Sequence, residues 1–104
     1  MNDKLFRMIG LAYRAGKAEA GEAKTEDRLR RGKTRLVIIS QDASENTAKK
    51  FKNLCMSANV SLIKAGTREI LGKYTGRDFA VVLSVSDEGF ANRIKDIADD
   101  TANI

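Results

Sequence analysis

The chain has 104 residues, 42% hydrophobic and 32% charged, which suits one soluble globular domain and excludes a disordered chain. No apolar run approaches the roughly 20 residues of a membrane span, charges interrupt the N-terminal M-N-D-K-L-F-R-M-I-G-L as they would not in a signal peptide, and the single cysteine, Cys55, excludes an internal disulfide and suits a reducing cytoplasm. The net charge of +5 is polarised, with 17 Lys/Arg against 8 Asp/Glu in residues 1–77 (net +9) and 2 against 6 in residues 78–104 (net −4), a distribution that favours an anionic partner without choosing among nucleic acid, acidic protein and membrane surface.

Residues 2–15 carry Leu5, Met8, Ile9, Ala12 and Tyr13 at helical spacing, with Asn2 or Asp3 able to cap the start and Gly16 the end. K-A-E-A, residues 17–20, predicts a short extended piece. G-E-A-K-T-E-D-R-L-R-R-G-K, residues 21–33, predicts a helix between two glycines, Gly32 sitting where a left-handed residue would stop it. At about 100° per residue, Lys24, Arg28 and Arg31 form one stripe while Thr25 and Leu29 point the other way. Such a helix, with the small Gly21 at its N-terminus, can dock on a phosphate backbone. A solvated surface helix accounts for the same charges.

L-V-I-I-S, residues 36–40, has the unbroken apolar character of a strand buried on both faces. A turn at Gln41-Asp42-Ala43 leads to a helix capped by Ser44, with Ala48, Phe51, Leu54, Cys55 and Ala58 inward and Lys49, Lys50 and Lys52 outward. A short strand at 60–63 precedes A-G-T-R-E-I-L-G-K-Y-T-G, residues 65–76, a loop and short helix that Thr67 can cap. F-A-V-V-L-S-V, residues 79–85, predicts a second fully apolar strand. Ser86 or Asp87 caps a last helix with Phe90, Ile94, Ile97 and Ala98 on one face, and Asp99-Asp100 is expected to fray. The alternation predicts an α/β fold: one domain over residues 1–104, a three-layer α-β-α sandwich around a central, mostly four-stranded mixed sheet.

The residues for most catalysis are missing. Without histidine there is no Ser-His-Asp or Cys-His constellation, and one cysteine builds no thiolate cage. Cys55, on an apolar helix face, reads as a buried inert thiol. Asp42 follows a central strand as a phosphoryl-accepting aspartate would, but no earlier strand ends in the paired acids that chemistry needs, so Asp42 reads as a turn former or cap. Neither G-x-G-x-x-G nor G-x-x-x-x-G-K-[ST] occurs among the glycines. Phe6, Phe51, Phe79 and Phe90 all fall on predicted apolar faces, which argues against a base-stacking platform, with Tyr13 and Tyr74 as possible exceptions. No cofactor, metal or small-molecule substrate is expected.

Several segments in order carry a resemblance: R-R-G-K-T-R-L-V-I-I-S-Q-D-A-S (30–44), D-A-S-x-N-T-A-K-K (42–50), K-N-L-C (52–55), A-N-V-S (58–61), L-G (71–72) and D-x-G-F-A-N (87–92). Together they resemble the kink-turn-binding ribosomal protein family, and within it the small bacterial YlxQ-like members. The resemblance implies a non-enzymatic protein that binds kink-turn RNA, a sharply bent duplex with sheared G·A pairs and an extruded nucleotide, ribosomal RNA being one candidate. It implies that the basic helix enters the opened groove by its N-terminus and that the loop before the short helix covers the extruded base. RNA is usually read where distortion exposes its base edges. The family's G-x-N-E-x-x-K falls on Gly21, Ala23, Lys24 and Asp27, so only its glycine is retained, and Lys24 can donate to guanine O6/N7 instead. Thr67 and Arg68 match the family's S-K before L-G. The implied RNA-binding set is therefore Gly21, Lys24, Arg28 and Arg31, with Thr67, Arg68 and Leu71 enclosing the extruded base. The alternative is a protein–protein interaction module of the same fold with reduced or lost RNA binding.

Overall fold

Leu36, Val37, Ile38 and Ile39 form strand β2 (Leu36–Ile39), and none of the four is accessible to water. Side chains alternate across a strand, so burial of all four needs cover on both sides. The computed structural model, which describes residues 3–102, supplies that cover with helix layers on each face. Leu36 and Ile38 join Leu5, Phe6 and Ile9 of α1 (Asp3–Arg14), Leu71 of α4 (Arg68–Tyr74), and Ala91, Ile94 and Ile97 of α5 (Glu88–Ala102). Val37 and Ile39 meet Leu29 of α2 (Glu22–Arg30) and Phe51 and Cys55 of α3 (Glu45–Ala58). The expected three-layer sandwich is the observed one.

Strands β1 (Ala18–Ala20), β3 (Ser61–Lys64) and β4 (Val82–Val85) complete a four-stranded sheet in the order β1-β4-β2-β3. β4 runs antiparallel to both β1 and β2, and β2 pairs with β3 in parallel, so the sheet is mixed. The carboxyl ends of β1, β2 and β3 consequently emerge at one edge, where α2, α3 and α4 begin. Ser44 caps α3 by accepting from the Thr47 N–H at 3.2 Å, and Asp87 accepts from the Phe90 N–H at 2.8 Å at the start of α5. Gly32 adopts φ +71 just past α2, as its place in the sequence predicts. Cys55 is 2% exposed, and burial pushes its thiol up to about 11, which keeps it protonated and inert at neutral pH.

Two expectations need correction, and a third lies partly outside the described residues. The second apolar strand begins at Val82, not at residue 79, and Phe79 is 61% exposed. The reason is α4: Arg77 N–H donates to the Gly72 carbonyl at 2.8 Å and Ala80 N–H to the Arg68 carbonyl at 2.9 Å, so this segment is bound to the helix rather than the sheet. Asp99 and Asp100 lie within α5, which continues to Ala102. Asn2, one of the two expected caps of α1, lies outside the described residues, and Asp3 is already helical.

Gly72 fixes the spacing between α4 and that segment. A Cβ there would lie 2.5 Å from Phe79 Cα and 2.8 Å from the Arg77 carbonyl oxygen, backbone atoms with little room to retreat. Gly72→Ala is expected to destabilise the fold by about 1–3 kcal/mol or more, read as a lower urea midpoint with an unchanged slope.

Candidate nucleic-acid interface

The start of α2 depends on a backbone that only glycine adopts easily. Gly21 has φ +129 and ψ 144, and its N–H donates to the Val82 carbonyl at 2.9 Å, tying the helix start to β4. It offers no side-chain cap. Thr25 N–H is the first in the helix to find a helical acceptor, the Gly21 carbonyl at 3.1 Å. The amides of residues 22–24 are thus left pointing out of the end of the helix. Lys24 is exposed there with no ion-pair partner among the described residues, and Glu22 is the one acidic side chain of the first turn.

The second half of the site is the loop from β3 into α4. Gln41 N–H donates to the Gly66 carbonyl at 2.7 Å and Ala65 N–H to the Ile39 carbonyl at 3.0 Å, which clamps the loop to the end of β2. Thr67 caps α4 as expected, its Oγ1 accepting from the Ile70 N–H at 3.2 Å. Asp42, read from sequence as a turn former or cap, serves a helix distant in sequence. Its Oδ1 accepts from the Arg68 N–H at 3.0 Å, and its Oδ2 lies 3.8 Å from Arg68 Nε. Arg68 is thereby oriented while its side chain stays 58% exposed. Desolvation acts upward on the Asp42 carboxyl, but the Ser40 hydroxyl and the N–H and charge of Arg68 outweigh it, holding the group below its ordinary 3.8.

The segment entering β4 joins the two halves. Ala80 N–H donates to Arg68, Val81 accepts from Ser40 N–H at 2.9 Å, and Val82 accepts from Gly21 N–H. Gly21, Lys24, Thr67 and Arg68 therefore share one edge of the sheet.

The remaining expected residues are placed differently. Arg28, one turn further along α2, is ion-paired with Glu19 of β1. Arg31 follows the last helical residue, roughly 10 Å along the axis from Lys24 at 1.5 Å per residue, and pairs with Asp27 at 3.0 Å. Leu71 is fully buried beneath α4, so it cannot enclose a base, and its expected role is corrected to a core one. Burial follows from its position three residues into α4, on the face that packs against α1. Glu26 on the other flank of α2 accepts from Lys50 of α3 and from Arg30, each at 2.8 Å, and those two bonds hold its carboxyl below 4.5. Phe79 is the residue at this edge that sequence reasoning missed. It immediately precedes A-V-V-L-S-V, and nothing in that pattern separates it from the strand. Among the described residues no cluster of His, Cys, Asp and Glu could hold a metal ion, and no helix is long and apolar enough to cross a membrane.

The sequence model of the ribosomal protein L7Ae/L30e/S12e/Gadd45 family matches residues 3–95. Two curated relatives are each named RNA-binding protein YlxQ. The one from Bacillus subtilis (strain 168) is 38% identical over 94 residues, 90% of this chain and 94% of its own. The one from Enterococcus faecium is 34% identical over 94 residues, 90% of each. A solved structure of a Bacillus halodurans protein, described as of unknown function, superposes with a TM-score of 0.89 at 33% identity, over 92% of this chain and 97% of its own. The Giardia lamblia 15.5kD RNA binding protein superposes with a TM-score of 0.78 at 20% identity, over 92% and 82%, a likeness of fold.

The position of Asp42 has a pH signature. Its folded value lies below the unfolded one, so the stability it contributes is complete above about pH 4 and is lost as pH falls through the folded value. The difference in urea midpoint between wild type and Asp42→Asn is expected to be largest near neutral pH and to close on acidification. A difference that stays constant across the acidic range would show that the charge of Asp42 has no part in holding α4.

Proposed function

The chain belongs to the ribosomal protein L7Ae/L30e/S12e/Gadd45 family, and from that premise we propose that it is a non-enzymatic RNA-binding protein of the cytoplasm. Its ligand is structured RNA of the kink-turn type, with ribosomal RNA as one source. The names of the two YlxQ relatives support RNA as the partner. The observation that carries the finer reading is the sharing of one sheet edge by two donor groups. The uncapped start of α2 with Lys24 forms one, Thr67 and Arg68 form the other, and the hydrogen bonds of Ala80, Val81 and Val82 fix the distance between them.

A regular A-form duplex buries its base edges in a deep, narrow groove, whereas a kinked duplex opens them. The open amides of residues 22–24 suit a phosphate or base-edge acceptor, and Lys24 donates to guanine O6/N7. Arg68 offers a planar fork to a phosphate across the bend. Arg28 and Arg31 flank the site along α2. Their carboxylate partners are half-exposed or exposed, and pairs of that kind contribute about 0–1 kcal/mol, so a phosphate can take the place of the carboxylate at small cost. Ala23 and Asp27 add no donor, and recognition rests correspondingly more on Lys24 and on the loop at 67–68.

The test is a titration of a standard kink-turn RNA against a straight duplex of equal length at about 0.15 M salt. Preferential binding of the kinked RNA is expected, and equal affinities would refute the reading. Lys24→Ala is expected to cost about 1–3 kcal/mol if Lys24 reads a base, with relaxed discrimination at that pair. A phosphate contact would instead show as a uniform loss and a salt slope shallower by about 1. If both RNAs bind weakly and lysate partners survive RNase, the protein–protein module is the correct description.

A further inference from the structure

α2 and α3 lie side by side on one face of the sheet, and their carboxyl ends come together at the edge opposite the helix starts. Gly32 (φ +71) turns the chain out of α2, and the Lys33 N–H closes that turn on the Arg28 carbonyl at 2.9 Å. Asn59 (φ 58) ends α3 in the same way, the Val60 N–H donating to the Cys55 carbonyl at 2.9 Å. Between the two turns runs an open groove made of adjoining hollows of about 370 and 390 Å³. That is room for one side chain and the backbone around it. Leu29, Leu54, Ala58 and Val60 give the groove its apolar lining, and Arg30 and Arg35 give it charge.

The lining specifies the chemistry of an occupant. Among the described residues no acidic side chain lines the groove. Arg30 and Lys50 share the Glu26 carboxylate, but Arg35 and its neighbour Lys33 are exposed with no ion-pair partner among the described residues. An anion therefore meets two uncommitted cations at the mouth. The two turns use the carbonyls of Arg28, Leu29, Cys55 and Met56, and no N–H of the described residues reaches those of Arg30, Ser57 and Ala58. These are helix-end acceptors in need of donors. A phosphate brings only acceptors to such a place, whereas a polypeptide brings N–H groups. No aromatic ring lines the groove, so an unpaired base has nothing there to stack on. The apolar floor suits an aliphatic or aromatic side chain, and the fixed turns around it are ordered before anything binds.

We infer that this groove docks an acidic peptide of a partner protein, with one apolar side chain seated on Leu29, Leu54 and Val60 and its carboxylates on Lys33 and Arg35. The groove lies at the far end of α2, on the flank that faces α3, and leaves Lys24, Thr67 and Arg68 uncovered. A peptide there and an RNA at the opposite edge can be held together. The inference stands independently of the RNA-binding reading, and with both sites occupied the chain is an adaptor that tethers a protein to a structured RNA.

The probes are short fluorescein-labelled peptides of Asp, Glu, Gly and Ser with a central Leu or Phe, titrated against the whole chain at about 0.15 M salt. Control peptides carry Ala at the centre, or Lys in place of every acid. Both anchored acidic peptides are expected to bind, the Ala peptide about tenfold more weakly, and the Lys peptide not at all. Arg35→Glu is expected to weaken the anchored peptides about tenfold, while keeping the wild-type urea midpoint and the preference for kinked over straight RNA. NMR shifts on peptide addition should move at Leu29, Leu54, Ala58 and Val60 and stay in place at Lys24 and Arg68. Absence of binding, equal binding of the Leu and Ala peptides, shifts centred on Lys24 and Arg68, or an Arg35→Glu loss seen with RNA but not with peptide would each overturn the inference. None of these bears against the RNA-binding reading. A wild type that takes the peptide in the groove and shows no preference for kinked RNA overturns that reading alone.

Discussion

A strand with no side of its own exposed to water, as β2 is from Leu36 to Ile39, dictates how the rest of this chain is arranged. One face of the sheet requires α1, α4 and α5, the other requires α2 and α3, and the connections must run around the sheet edges between those layers. Three helices therefore start at the edge where β1, β2 and β3 end. This is also the edge at which open α/β sheets commonly take ligands, because helix starts and loops converge there. The candidate site is a consequence of how the core is covered.

The rigidity of that edge comes from backbone hydrogen bonds and not from its charges. The chain at residues 80–82 contacts α4, β2 and the start of α2 in succession, and it forms one frame out of pieces separated by more than sixty residues. Asp42 adds a bond from the loop after β2 to the first amide of α4. Recognition of a bent nucleic acid depends on distances between contacts being set before binding, since ordering them afterwards would cost affinity. A frame of this kind meets that requirement at both the Lys24 end and the Arg68 end.

The charges have a second use that composition conceals. A net of +9 over residues 1–77 suggests an unbroken basic face, yet Arg28, Arg30 and Arg31 each pair with a carboxylate on β1 or α2, and Lys50 bridges α3 to Glu26. These partly exposed pairs contribute little to stability. They hold the guanidinium groups against their carboxylates, where long side chains would otherwise sample many rotamers.

The sequence by itself determined the element order, the three layers, the caps at Ser44 and Thr67 and the stop at Gly32, because periodicity, cap chemistry and φ preference are local properties that each residue carries with it. It also marked Gly21, Lys24, Arg28 and Arg31, since glycine and cations have recognisable places around helix starts, while Thr67, Arg68 and Leu71 entered the candidate set through the family resemblance. Three matters were decided only by the tertiary structure. Leu71 carries the same side chain whether it meets a base or the core, and its burial was settled by α4 packing on α1. Arg28 and Arg31 looked free until Glu19 and Asp27 were brought beside them. Phe79 reads as the first residue of a strand, and it was left in solvent because Gly72, seven residues earlier, lets α4 take the backbone away from the sheet. Each outcome depends on which distant group arrives nearby, and a residue's own chemistry cannot specify its neighbour.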